Sequence, residues 1–164
     1  MTGGWQEPTR SVSLRWGTYP GRYACGLALI VSGLIGLQGA NANFLPPLAL
    51  GTMAHVLGWW LMPAAGWRRI WVVLPSLIVV FVLLIGPAGV GLLAVCFACW
   101  LLVRHRPGIT FLLALPVLGV GILLRQVYSE YDGMLPALAI MAAVIIVSAW
   151  LARLIHRQRS LKAR

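Results

Sequence analysis

Long apolar stretches separated by short polar turns form the main pattern of this chain. Within each stretch almost every position is apolar, so the helices that the pattern predicts have no polar face. A membrane-spanning helix needs about 20 such residues, because the hydrocarbon core of a bilayer is about 30 Å thick. The pattern predicts an all-α membrane protein, with a polar segment 1–22, six short transmembrane helices and a basic tail 155–164. The helices are predicted at about 23–40, 44–62, 70–85, 88–103, 109–124 and 134–154.

The stretch 70–103 is predicted to hold two helices rather than one. Its 34 residues would form a single helix of about 51 Å, which exceeds the thickness of the hydrocarbon core. The sequence Gly86-Pro87-Ala88-Gly89 lies near the middle, and glycine and proline both interrupt helices. We therefore expect a tight hairpin at this point.

The distribution of charge favours the same six-helix arrangement. The chain has 13 Lys and Arg against 3 Asp and Glu, and only 10% of its residues are charged, which excludes an ordinary soluble domain. With the N-terminus inside, six helices place every Lys and Arg except Arg125 on the cytoplasmic side, as the positive-inside rule requires. A five-helix arrangement would put the two basic turns on opposite sides of the membrane.

These charges also bear on location and partners. We expect both termini in the cytoplasm and the helices in a plasma membrane, which the short loops suggest is a bacterial inner membrane. The basic residues lie in turns rather than on a polar domain, so the expected partner is the lipid bilayer and not a nucleic acid.

Three pairs of helices share a similar layout. Proline begins and tryptophan ends the second helix of each pair: Pro46 to Trp60, Pro87 to Trp100 and Pro136 to Trp150. This layout predicts three helical hairpins in one orientation, with both termini inside. Either an internal triplication or convergence would produce it, because proline at helix starts and tryptophan at membrane edges are common choices.

The first helix carries a stripe of small residues at every fourth position. Such positions lie on one face of a helix, and small side chains allow another backbone to approach closely. We expect a helix-packing face there, toward the chain itself, a second copy in a homo-oligomer, or a membrane-protein partner. This small-residue stripe consists of Ala24, Ala28, Ser32, Gly36 and Ala40. Ala40-Asn41-Ala42 also fits a signal-peptidase site, although the preceding polar segment is long for a signal peptide.

His55 is the one ionisable side chain predicted to lie well inside an apolar stretch. Such groups are costly in lipid and face the protein interior or a cavity. His55 is therefore either a ligand-binding or proton-transferring residue, or a packed residue that bonds to a backbone carbonyl. The other candidate ligand-binding residues lie in or beside the predicted outer loops: Gln38, Asn41, Asn43, Glu130 and Asp132.

Two further observations limit the chemistry. No second His, Asp or Glu accompanies His55 at membrane depth, so we expect no metal site within one chain, no cofactor, no catalytic residues and no enzyme activity. Cys96 and Cys99 form a C-x-x-C on one helix face. This pair would suit a quinone-linked dithiol or a soft-metal carrier, or it is simply two small apolar residues.

Two functions fit this sequence. In size and number of helices the chain resembles the substrate-capture subunits of energy-coupling-factor vitamin transporters, a resemblance of architecture that covers no motif. It implies a small transport or ligand-binding subunit that docks on a partner through its first helix. The alternative is a non-catalytic accessory or structural subunit of a larger membrane complex, in which His55 only packs.

Overall fold

The structure, a computed structural model, describes Thr9, residues 16–41 and residues 43–162. The predicted inner-side cations Arg10, Arg15 and Arg164, and most of segment 1–22, lie outside these residues. The described chain forms α1 (Tyr19–Gln38), α2 (Pro46–Leu61), α3 (Gly66–Val82), α4 (Leu93–Val103), α5 (Ala114–Val127) and α6 (Met134–Lys162). Four short 3-10 segments flank these helices: Leu83–Ile85, Pro87–Leu92, Gly108–Leu113 and Tyr131–Gly133. For the described residues, the prediction of an all-helical fold with six helices is confirmed.

Local sequence explains where several helices begin and end. The Thr18 hydroxyl accepts a hydrogen bond from the Gly21 N–H at 3.3 Å and so caps α1, whose second residue is proline. Proline also begins α2. Between α3 and α4, Gly86 adopts a φ of 116°, which favours glycine. The predicted break in the stretch 70–103 is therefore present.

Four helices extend beyond their predicted bounds. Helix α1 begins at Tyr19 rather than near residue 23, and α5 ends at Val127 rather than near residue 124. Helix α3 begins at Gly66 rather than near residue 70, so the basic residues Arg68 and Arg69 form part of its first turn. Helix α6 continues to Lys162, through most of the segment that was predicted as a separate basic tail. Its 29 residues correspond to about 44 Å. The helix is longer than the apolar pattern because backbone hydrogen bonds can continue it after the side chains become polar.

Much of the outer surface is apolar. Four continuous helical segments are long and apolar enough to cross a membrane: Tyr19–Gln38, Gly66–Ile85, Gly108–Val127 and Met134–Arg159. Only 22–28% of their most apolar windows is buried inside the protein. Large side chains such as Ile85 and Leu135 are 79% and 80% exposed, an arrangement that suits lipid rather than water. Six complete membrane spans remain a prediction, since α2 has 16 residues and the segment Pro87–Val103 is also shorter.

The interior contains two clusters of buried apolar side chains. The larger cluster lies among α3, α4, α5 and α6, and includes Leu83, Phe97, Val117 and Met141. The smaller cluster joins the end of α2 to α3 and α4 and includes Trp59, which is 2% exposed. The neighbouring Trp60 is 59% exposed, so the two adjacent tryptophans face opposite surroundings: Trp59 the helix bundle and Trp60 the outer surface.

Helices α1 and α2 approach each other more closely than ordinary side chains allow. A Cβ atom on Gly33 would lie 2.7 Å from the Gly51 carbonyl oxygen, and one on Gly51 would lie 2.8 Å from the Gly33 oxygen. Gly26 and Gly58 form a second reciprocal pair, with corresponding distances of 2.9 and 2.7 Å. The two glycines of each helix are spaced by two turns. These glycines form the closest contact of α1 with α2. Gly36 of the small-residue stripe lies beside them, with a Cβ there 3.6 Å from the Gly51 Cα.

The small-residue stripe faces largely away from the bundle. Ala24, Ala28 and Ser32 are exposed, while Gly36 and Ala40 are half-buried. Helix α1 therefore carries two sets of small residues: Gly26 and Gly33, seven positions apart, and the small-residue stripe, with members four positions apart. The predicted packing face had small residues four positions apart, whereas α2 packs most closely against Gly26 and Gly33, which are seven positions apart.

Five arginines gather at one end of the bundle. Arg22 Nε donates a hydrogen bond to the Leu61 carbonyl at 3.1 Å, and Arg68 Nη1 donates to the Leu102 carbonyl at 2.9 Å. These bonds join the starts of α1 and α3 to the ends of α2 and α4. We call this the basic end, and its arginines are Arg22, Arg68, Arg69, Arg104 and Arg106. Arg125 follows α5 to the opposite end, beside the loop that carries Glu130 and Asp132.

Replacing Gly33 with alanine tests the α1–α2 contact. Its methyl group would lie 2.6 Å from the His55 amide nitrogen, so two backbones must separate. We expect a loss of about 1–3 kcal/mol in the free energy of unfolding. The matched control is Gly119→Ala, because a Cβ there meets nothing within 4 Å. Thermal unfolding in detergent should show Gly119→Ala unchanged or stabilised and Gly33→Ala destabilised; equal effects would contradict the contact.

Candidate functional site

His55 lies where α2 packs against both α1 and α3. Gly33 has no side chain, so α1 approaches the His55 backbone closely and leaves the imidazole between the helices. The residue is only 1% exposed. A polar ring at such a position needs hydrogen-bond partners from the protein, because lipid supplies none.

Both ring nitrogens of His55 have partners. Nδ1 lies 3.3 Å from the carbonyl oxygen of Ile30 on α1. Nε2 lies 3.1 Å from Nε1 of Trp59, one turn further along α2, and 3.1 Å from Oγ of Ser76 on α3. We call these four residues the histidine network. It connects three helices through one side chain.

The chemistry of the partners determines the tautomer of His55. A carbonyl oxygen only accepts hydrogen bonds, so Nδ1 must carry the ring proton toward Ile30. An indole N–H only donates, so Nε2 must offer its lone pair to Trp59. The imidazole is therefore neutral and protonated on Nδ1. To take up a proton on Nε2, His55 would have to give up its bond to Trp59.

Ser76 links the histidine network to α4. Its hydroxyl has two acceptors within reach, the Val73 carbonyl and His55 Nε2, each at 3.1 Å. The Ser76 carbonyl oxygen lies 4.0 Å from the Cys96 Sγ, at the limit for a weak sulfur hydrogen bond. Cys99 lies buried in the smaller apolar cluster. The two cysteines thus contact different surroundings, as packed side chains do.

The other predicted ligand-binding residues lie elsewhere. Gln38 is half-buried at the end of α1, and both polar atoms of its amide are buried without a hydrogen-bond partner in the described structure. Asn41 Oδ1 accepts a hydrogen bond from the Asn43 N–H at 3.0 Å, within an exposed turn that leads to α2. These two asparagines shape the turn. Within the described residues, neither asparagine is hydrogen-bonded to His55.

Glu130 and Asp132 occupy the loop between α5 and α6. Both are exposed, and neither forms a salt bridge within the described residues. Among those residues, no group of three His, Cys, Asp or Glu side chains comes close enough to hold a metal ion. The six candidate residues are thus distributed among one buried network, one helix end and two loops.

Three members of the histidine network were not named from the sequence, and one of them, Ile30, contributes only its backbone carbonyl. Trp59 lies four residues after His55, a spacing that places both side chains on one helix face, so this contact was readable from the sequence. Ser76 lies on another helix, and no local spacing connects it to His55. It follows Pro75, which interrupts the hydrogen bonding of α3.

Comparison with known proteins gives no relative from which to assign these residues. No protein family, curated protein or solved structure matches this chain. A function for it consequently rests on its own sequence and geometry.

A double-mutant cycle tests the histidine network. His55→Leu leaves the buried Trp59 N–H without an acceptor, so we expect a loss of about 1–3 kcal/mol in unfolding free energy. Trp59→Phe removes that donor, so its combination with His55→Leu should be non-additive by about 0.5–3 kcal/mol. The control is Trp60→Phe, since Trp60 is 59% exposed. Chemical unfolding in detergent should show additivity with Trp60→Phe; additivity with both variants would refute the network.

Proposed function

We propose that this chain is a non-catalytic accessory subunit of a membrane protein complex. Its helices would lie in a plasma membrane, with the basic end and both termini in the cytoplasm. The observation that carries this proposal is the exposed part of the small-residue stripe, Ala24, Ala28 and Ser32, which the internal contacts of α1 leave uncovered. We propose the stripe as the surface that receives a partner.

The histidine network supports an accessory role over ligand binding at His55. The imidazole is 1% exposed and both of its nitrogens are engaged. A ligand would have to displace Ile30 or Trp59 to reach the ring. We therefore assign His55 to holding α1, α2 and α3 together.

The small-residue stripe leads into an apolar groove. This groove, of about 380 Å³, lies between α1 and the first half of α2 and is lined by Ser32, Gly36, Leu50 and Ala54 among others. It contains no charged side chain, so its occupant should be apolar. The most suitable occupant is a transmembrane helix of another membrane protein, because small residues allow close helix contact in lipid.

The charge distribution supports the proposed orientation. The five arginines of the basic end lie together, whereas Arg125, Glu130 and Asp132 lie at the opposite end. Exposed tryptophans near the basic end, such as Trp60, Trp67 and Trp71, suit a membrane interface. The positive-inside rule then assigns the basic end to the cytoplasm.

A small transport or ligand-binding subunit is the second candidate function. The observation that favours it is Gln38, whose buried amide offers a donor and an acceptor that no described residue satisfies. Unsatisfied buried amides are costly, and a polar ligand could complete both hydrogen bonds. Asn41 and Asn43 lie in the turn that follows.

Site-specific crosslinking tests the accessory role. We expect a photoreactive amino acid in place of Ser32, in native membranes, to give one discrete protein adduct. Mass spectrometry would identify the adduct as a membrane protein or a second copy. The matched control is the same substitution at Ala142, which is exposed on α6. Adducts with lipid alone at both positions would contradict the proposal.

Purification in mild detergent tests the second candidate function. A ligand-binding subunit should retain a stoichiometric small molecule in mild detergent, which Gln38→Leu would release and Ser32→Leu would not.

A further inference from the structure

The two polar atoms of the Gln38 amide are buried at the end of α1, which lies opposite the basic end. Neither atom has a hydrogen-bond partner among the described residues. Leu34, one turn earlier on the same helix face, packs against the larger apolar cluster, which includes Leu83. Helix α1 also contacts the 3-10 segment Leu83–Ile85. Gln38 therefore lies on the side of α1 that meets the end of the α3 segment. We call this junction the far end.

The unsatisfied amide raises the free energy of the packed arrangement. A buried donor and acceptor without partners are costly, and neither lipid nor apolar side chains can satisfy them. An arrangement in which water reaches Gln38 would recover both hydrogen bonds. Such an arrangement requires α1 to separate from Leu83–Ile85.

Helices α1 and α2 are joined closely enough to move as one body. The two reciprocal glycine pairs bring their backbones into contact at two levels. At the basic end, Arg22 Nε donates a hydrogen bond to the Leu61 carbonyl. We call residues 19–61 the first hairpin. A separation at the far end would therefore move α2 together with α1.

Polar contacts join the first hairpin to α3 at the basic end and midway along the bundle. Arg69 Nη1 donates a hydrogen bond to the Trp60 carbonyl at 2.7 Å, and the smaller apolar cluster lies beside it. Midway, His55 Nε2 lies 3.1 Å from Ser76 Oγ. Within the described residues, no hydrogen bond joins the first hairpin to the α3 segment between Ser76 and the far end. The far end is consequently the weaker part of this interface.

We propose that the first hairpin opens at the far end and admits water to the Gln38 amide. The hairpin pivots on its contacts at the basic end, and the bond between His55 and Ser76 opposes the movement. The closed state keeps the apolar contacts of Leu34 and leaves the amide unsatisfied. The open state loses those contacts and hydrates the amide, so the two effects offset each other in part. The movement depends on the packing of the described residues and on neither proposed function.

Distances between spin labels on the full-length chain in lipid bilayers test this proposal. Labels carried by noncanonical amino acids at Ile35 and Ile85, which are exposed near the far end, leave the native cysteines in place. We expect two populations, of which the one with the longer distance is the open state. The matched control is a label pair at Trp60 and Trp67, which are exposed at the basic end. This pair should give one distance.

Two variants should change the open population in opposite directions. Gln38→Leu removes the unsatisfied amide, so the longer distance should fall at least about fivefold in population. Ser76→Ala removes the hydroxyl that faces His55, so the longer distance should rise about threefold. The control for the second variant is Ser148→Ala, which removes a buried hydroxyl from α6. It should leave the ratio of the two distances unchanged.

Two results would overturn the proposal. The first is a single distance between Ile35 and Ile85 in the wild-type chain that stays single in Ser76→Ala. The second is a longer distance whose population is the same in Gln38→Leu, because the movement would then be independent of the amide.

Hydrogen exchange of the wild-type chain gives a second measurement that needs no buried variant to fold. NMR would follow exchange of the Gln38 side-chain amide protons with deuterated water, with the indole N–H of Trp59 as internal reference. Trp59 is buried beside the contacts that stay closed. Relative to their intrinsic rates, the Gln38 protons should exchange at least about tenfold faster, since opening exposes them alone. Equal protection of the two groups would contradict the opening.

Discussion

The close backbone contact between α1 and α2 is the constraint on which the rest of the described structure depends. Two reciprocal glycine pairs, Gly26 with Gly58 and Gly33 with Gly51, bring these helices together without intervening side chains. This approach places the Ile30 carbonyl within hydrogen-bond distance of His55. In lipid, where apolar side chains gain little from leaving their surroundings, close packing and internal hydrogen bonds provide much of the association between helices.

The histidine network connects α1 and α2 to the next helical hairpin. His55 connects α1 and α2 to Ser76 on α3, and Ser76 is in turn adjacent to Cys96 on α4. A polar side chain inside an apolar bundle fixes the register of its neighbours, since a shifted helix would leave its hydrogen bonds unmade. The basic end adds a second set of connections, through arginines that bond to the last carbonyls of α2 and α4. Helices α1 to α4 are therefore connected both through the histidine network and at the basic end.

The sequence predicted those features that depend on one segment at a time. The break at Gly86 was predictable because a long apolar stretch contained glycine and proline near its middle. The start of α3 and the end of α6 were not predictable in this way. Backbone hydrogen bonds include Arg68 and Arg159 in these helices although their side chains are polar. In each case the helix is longer than its apolar stretch.

Features that depend on two segments were harder to predict. Helix α1 has small residues both at every fourth position and at Gly26 and Gly33, and one sequence does not say which face meets α2. The matching seven-residue spacing of Gly51 and Gly58 was the available signal. His55 was identified as unusual, and its contact with Trp59, four residues later, could have been predicted from the spacing. The contact with Ser76 could not, because it arises only from the packing of α3.

The most direct test of this account is the protonation of the His55 ring. Nitrogen NMR of the chain with labelled histidine, in lipid bilayers near neutral pH, distinguishes the two neutral tautomers and the cation. The chain has three histidines, so the His55 signals would be assigned by their loss in a His55 variant. The account predicts a neutral ring with the proton on Nδ1, bonded to Ile30. A proton on Nε2, or a charged ring, would contradict the network that joins α1, α2 and α3.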